Sequence, residues 1–135
     1  MQWDASASAG FTTDGVTPWL PVGDAATSNV AGQRDDPDSV LRFCRSLLAL
    51  RRAELGGTIA PCEMLAAAEG QWAYRVGGLV VAANLSDEPT AWPAEAGEIL
   101  LATAGEPPPA GRPLGPWEGV IARTGRPAAG PATVG

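Results

Sequence analysis

Two adjacent glycines, Gly56 and Gly57, divide this chain into parts with different hydrophobic periods. Before them, apolar residues recur at helical spacing. After them, apolar residues come in short runs separated by turn signals. A helix is predicted from Asp36-Pro37 to the glycine pair. Asp36 is the expected N-cap, Pro37 suits the first helical position, and Asp38 complements the positive end of the helix dipole. Arg51 and Arg52 fall in the last turn, where cations belong, and Gly56 ends the helix. Val40, Leu41, Phe43, Cys44, Leu47, Leu48 and Leu50 cover roughly half of the cylinder at about 100° per residue. An arc that wide suits a helix held between two partners.

Past Thr58 the spacing predicts strands at Cys62–Ala66, Gln71–Val76, Leu79–Leu85, Glu98–Ala102 and Trp117–Arg123. Gly77-Gly78 marks a hairpin, and Asp87-Glu88-Pro89 a further turn. Short strands at this spacing make a small antiparallel sheet or sandwich. Residues 1–35 carry neither period, and Pro18 and Pro21 flank Trp19-Leu20. A loop of that length is functional, disordered or part of something larger, and its tryptophans argue against disorder. The stretch 124–135 is rich in Ala, Gly and Pro and is expected to be a disordered tail.

A length of 135 residues holds one domain, or a small domain with part of another. A net charge of −6 argues against nucleic acid and against an anionic membrane as partners. With no histidine in the chain, neither a Ser-His-Asp site nor a His-ligated metal can be built from it. Cys44 and Cys62 have no metal spacing and read as free thiols of a reducing, cytoplasmic compartment, ahead of a disulfide. No signal peptide precedes Arg34, and the apolar run Leu79–Ala83 is too short to span a bilayer.

Three stretches resemble the α-glucosidase and oligo-1,6-glucosidase branch of the α-amylase family, glycoside hydrolase family 13. The most specific is Met1-Gln2-Trp3-Asp4, then Gly10-Phe11-Thr12-Thr13, then Pro18-Trp19-Leu20-Pro21. It is similar to the family's loop after the eighth barrel strand, although the Arg-Thr-Pro that precedes Met in the family is absent. Asp36-Pro37-Asp38-Ser39 leading to Leu48-Ala49-Leu50-Arg51-Arg52 is similar to the last barrel helix. Val80 to Pro89, with Pro116-Trp117-Glu118, resembles the all-β C-terminal domain.

The resemblance implies an α+β piece: the final loop and helix of a (β/α)8 barrel over residues 1–56, then an antiparallel β domain over 57–123, then the tail. Family members are retaining glycosidases that use an Asp nucleophile, a Glu acid/base and a second Asp. These carboxylates belong to earlier barrel strands and would precede Met1, so no catalytic residue is mapped onto this chain. A truncated gene, a misplaced start codon or a frameshift would each give such a chain. It is expected to be inactive alone and to need no cofactor. The intact parent would act on an α-linked glucose oligosaccharide, with the missing barrel portion as partner. The alternative is a stand-alone carbohydrate-binding or interaction module.

The same resemblance places Gln2, Trp3, Asp4 and Phe11 at the rim of a substrate pocket. Packing of Trp3 and Phe11 onto the barrel is the blander alternative. Asp35, Asp36 and Asp38 form the densest acidic cluster and read as capping groups rather than as a site. Trp72, Trp92 and Trp117 are either a sugar-stacking platform or ordinary packing of the β domain. Asn84-Leu85-Ser86 has the form of a glycosylation acceptor without any sign of secretion.

Overall fold

The computed structural model describes residues 2–13, 15–57, 59–105, 109 and 111–125. In chain order they form α1 (Val30–Asp35), α2 (Val40–Leu55), β1 (Cys62–Met64), β2 (Gln71–Val76), β3 (Leu79–Asn84), β4 (Ala96–Ala102) and β5 (Gly119–Thr124). There are two compact units, Met1–Leu48 and Ala49–Gly135. The division falls inside α2, earlier than the glycine pair. The last turn of the helix belongs with the strands: Leu55 packs where a Cβ on Gly77 would stand, and Glu54 pairs with Arg123 at 2.7 Å. The expected tail beyond Gly125 lies outside the described residues.

The first unit corrects two expectations. Residues 1–35 do contain a helix, α1, too short to show an apolar period. Asn29 caps it, with its side chain accepting from Gly32 N–H at 2.8 Å. The other leading amides, of Val30 and Ala31, donate to the carbonyls of Gln2 and Trp3 at 3.0 Å each. The start of the long helix is the second correction. Asp36 does not cap α2; it ends α1, and its Oδ1 accepts from Asp38 N–H. The cap is Ser39, which is buried and whose hydroxyl accepts from Arg42 N–H. Gln33 supports it by accepting Leu41 N–H on its side-chain oxygen. At the other end, Gly56 takes a φ of 59° and stops α2 as predicted. No residue of α2 is buried. The stripe Val40, Cys44, Leu48 is exposed, whereas Leu41, Phe43, Leu47 and Leu50 are half-buried.

In the second unit the sheet order is β1-β2-β3-β5-β4, antiparallel throughout. The predicted strands are all present, β2 with the expected bounds and the others with shifted ends. β1 stops at Met64, β3 at Asn84, β5 runs on to Thr124, and β4 begins at Ala96. β4 is irregular because two register shifts break its pairing with β5, which hid its start from a period-two reading. There Gly97 lies so close to Gly125 that a Cβ would come within 3.0 Å of its Cα.

One face of the sheet makes the core. Ala73, Ala82, Val120 and Ala102 form a row across four strands, each 3% exposed or less. Small side chains leave a hollow, and Leu114 from the loop before β5 fills it, fully buried, with Leu65, Trp92 and Ile99 around the edge. Burying such a leucine contributes about 1.5–3 kcal/mol. Leu114 and Thr90 exchange both backbone hydrogen bonds, at 2.9 and 3.0 Å. Asn84, 1% exposed at the end of β3, holds the same loop. Its amide nitrogen donates to Glu88 O at 2.7 Å and Gly115 O at 2.8 Å, with Leu114 O at 3.4 Å. Its oxygen accepts from Ser86 N–H and hydroxyl. Arg112 and the Gly115 amide both bond the buried Glu118 carboxylate, closing the loop from its other side. Among the described residues no helix is long and apolar enough to cross a membrane.

This arrangement makes Asn84→Ala cost about 2–4 kcal/mol, since it strips several buried backbone groups of partners at once. Asn84→Asp keeps the shape but sets acceptor oxygens against carbonyl oxygens, so it should destabilise at least as much. Urea unfolding of the three proteins checks both outcomes; an Asp variant as stable as the native protein would contradict the assigned amide donors.

Candidate functional site

Residues 2–12 fold on themselves through main-chain bonds. Trp3 N–H donates to Ala9 O and Ala9 N–H to Ser6 O, both at 2.9 Å. The Asp4 carboxylate accepts from Ser6 N–H, and the Ser6 hydroxyl accepts from Gly10 N–H. The small-residue run is required here. Gly10 sits at φ 73°, and a Cβ there would lie 2.9 Å from Trp3 Cβ and 3.0 Å from Asp4 Oδ2. With the Gln2 and Trp3 carbonyls committed to the start of α1, the loop is fixed at both ends.

The closed loop and the segment Thr17–Gly23 enclose a cleft of about 500 Å³. Gln2, Phe11 and Thr12 form one wall, and the run from Thr17 through Trp19 and Leu20 to Gly23 forms the other. Of the expected rim residues, Gln2 and Phe11 line this cleft. Trp3 and Asp4 do not: Trp3 is 54% exposed, and Asp4 is used in the turn. The second wall was not among the expected site residues. Its signal was present in Pro18 and Pro21, which flank a bend at Trp19-Leu20 that leaves Trp19 91% exposed.

The carboxylates of Asp4, Asp24 and Asp36 serve as turn acceptors. Asp4 titrates below the ordinary value of 3.8, held down by the Ser6 hydroxyl first and the Ser6 amide second. Asp24 is lowered too, by the Thr27 hydroxyl and then the Thr27 amide. A glycosidase general acid needs the opposite shift, a carboxyl held protonated near neutral pH. Asp36 accepts the Asp38 amide in a local turn and not at the start of α2. Among the described residues no group of His, Cys, Asp and Glu could hold a metal ion. Both cysteines are free and exposed.

In the second unit the three tryptophans differ. Trp92 is half-buried against the core, and its Nε1–H donates to Ala96 O at 2.9 Å. Trp72 and Trp117 are 50% and 63% exposed. Asn84 is buried, so the Asn-Leu-Ser triplet presents no acceptor nitrogen to a glycosylating enzyme.

Residues 1–56 match the family described as "Alpha amylase, catalytic domain", and residues 57–121 match "Domain of unknown function (DUF3459)". The oligo-1,6-glucosidase of Heyndrickxia coagulans is 46% identical over 54 residues, which are 39% of this chain and 9% of that protein. The amino acid transporter heavy chain SLC3A1 of Mus musculus is also 46% identical, over 56 residues, or 41% of this chain and 8% of that one. The crystal structure of isomaltulose synthase from Erwinia rhapontici NX5 superposes with a TM-score of 0.76 at 25% identity, covering 93% of this chain and 24% of that one. The chain thus spans about a tenth of the length of the curated relatives it matches. The fold is that of the last loop and helix of a (β/α)8 barrel enzyme followed by a small antiparallel β domain.

Because the folded-state value of Asp24 is depressed, the stability it contributes is present above its unfolded value and is lost as pH falls through the folded one. Carboxyl NMR titration is expected to put the Asp24 midpoint below 3.8, and Thr27→Val to move it back up. A midpoint at or above the ordinary value would remove the turn bonds assigned to Asp24.

Proposed function

We propose, for a chain that belongs to the α-amylase family, glycoside hydrolase family 13, in its α-glucosidase and oligo-1,6-glucosidase branch, that it completes the family's reaction rather than performs it. It is the C-terminal part of an α-glucosidase-like enzyme. The parent would hydrolyse α-glucosidic bonds in malto- or isomalto-oligosaccharides with retention. The observation that carries this reading is the loop of the first unit. It builds an open cleft from main-chain bonds and apolar walls, while Asp4 and Asp24 are lowered and tied into turns. A retaining site needs two carboxyl groups about 5–5.5 Å apart, one of them raised. Those groups would come from the rest of the barrel, which in the matched enzymes makes up most of the chain.

In that assembly Gln2 and Phe11 are proposed to touch the sugar at the pocket rim, and Trp3 and Asp4 to hold the loop that presents them. Residues 1–56 would belong to the barrel and 57–123 to the β domain, in the cytoplasm, in keeping with two free thiols at the surface. A second reading is a stand-alone binding or interaction module. The β unit closes its own core, and one relative bears the name of a transporter heavy chain rather than a glycosidase.

The purified chain is expected to release no nitrophenol from an aryl α-glucoside above the uncatalysed rate. Mixed with the complementary barrel segment of an oligo-1,6-glucosidase, it is expected to restore hydrolysis. Phe11→Ala should then raise KM several-fold with a smaller effect on kcat, the signature of lost substrate binding. Turnover by the chain alone would sink this function, and restored hydrolysis would remove the stand-alone reading.

A further inference from the structure

Gly23 stands at the end of the second cleft wall without a backbone reason to be glycine. Gly10 and Gly15 of the same unit take φ of 73° and 84°, where a side chain is strained, but Gly23 does not lie in that region. Space is what excludes a side chain. A Cβ on Gly23 would lie 2.6 Å from Gln2 Nε2, and within 4 Å it would meet nothing but Gln2. The absent methyl group is therefore the room in which the Gln2 amide lies.

The base of that side chain is fixed. Gln2 O accepts from Val30 N–H at 3.0 Å, and the next residue, Trp3, is bonded through both its N–H and its carbonyl. From this anchor the half-buried Gln2 side chain reaches from the first wall to the second. Its amide has no hydrogen-bond partner among the described residues and is not sealed from solvent. Of the two hydroxyls in the lining, that of Thr12 is committed to Val16 O at 3.2 Å. The polar side-chain groups left to a ligand are the Thr17 hydroxyl and the Gln2 amide, which offers donors and an acceptor together.

No ionisable side chain is among the described residues that line the cleft, in a chain of net charge −6. An acidic or phosphorylated ligand finds no counter-ion there. A neutral ligand with adjacent hydroxyls matches an amide that both donates and accepts.

We propose that Gly23 is a positioning residue. By leaving room for the Gln2 amide it aims that amide into the cleft, where it reads adjacent hydroxyls of an uncharged sugar. The sugar rests on the function proposed above; the contact of Gln2 with Gly23 does not.

The test uses the full 135-residue chain. In its NMR spectrum the Gln2 side-chain amide protons are expected to show a nuclear Overhauser contact to the Gly23 Hα. On titration with maltose the Gln2 amide signals should shift saturably. Those of Gln33 and Gln71, whose amides are bonded within the fold, should stay. Gln2→Ala and Gly23→Ala should each weaken binding roughly three- to tenfold. In the Gln2→Ala background Gly23→Ala should have no further effect, because it acts through the amide it displaces. A glycine with a purely structural role would lower affinity in both backgrounds, along with the urea midpoint. Should a variant unfold, the Overhauser contact and the native titration decide the matter. A missing contact, additive losses, or tighter binding of glucose 6-phosphate than of glucose would overturn the proposal. The complementation assay is independent: restored hydrolysis with no shift at Gln2 sinks this inference alone, and a shift at Gln2 without restored hydrolysis sinks the enzymatic reading alone.

Discussion

The Asn84 side-chain amide is the interaction on which the β unit depends. It lies at the end of the central strand, where the ladder stops and three segments need tying. Its donors reach the turn after β3 and the loop before β5, and its acceptor holds Ser86. An amide is the only side-chain group of this size with donors and an acceptor that point in opposed directions. Buried at 1% exposure it works in a low dielectric, where each bond is stronger and each missing partner costs more. The consequence is hydrophobic: the loop it fixes carries Leu114 into the hollow over the alanine row. One polar residue thereby sets the packing of the apolar core.

The first unit is organised by the opposite economy of groups. Its helix α1 has no buried residue, and its leading amides are satisfied by carbonyls from the far end of the loop. The carboxylates shape turns, and the apolar side chains Phe11, Trp19 and Leu20 stand around an open cleft. Main chain and turn acceptors give this loop its shape, so its outward residues are free to contact something else.

How much of this was legible in the sequence follows from the range of each interaction. The Gly56 stop, the Gly77-Gly78 hairpin and strands β2 and β3 rest on neighbours in the chain, and they stand where they were expected. The N-cap was misplaced because Asp36 and Ser39 are equally good caps in isolation. Gln33, which bonds the amide of Leu41 just past the Ser39 cap, settles the choice, and its contribution is a tertiary one. Helix α1 was missed because its first two amides are satisfied from residues 2 and 3. The start of β4 was hidden by its register shifts. A family motif singled out Gln2 and Phe11, and both line the cleft. The wall from Thr17 to Gly23 was visible as Pro-Trp-Leu-Pro, but nothing local says that it faces the other side of a cleft. The separate fates of Trp72, Trp92 and Trp117 depend on pairing register and on a hydrogen bond to Asp87, neither of which a linear reading contains.

The strand order has a consequence for how the chain comes to be folded. β5 is the last of the described strands along the chain, yet it lies between β3 and β4, and among the described strands β4 pairs with β5 alone. Until residues 119–124 are available, β3 is an open edge rich in valine and alanine, and β4 is a second such strand without a sheet. A nascent or C-terminally shortened chain therefore displays two unpaired strand edges at once, the condition in which chains pair with each other instead. Val120 of β5 belongs to the row that Leu114 covers, so that apolar face is incomplete in the same interval.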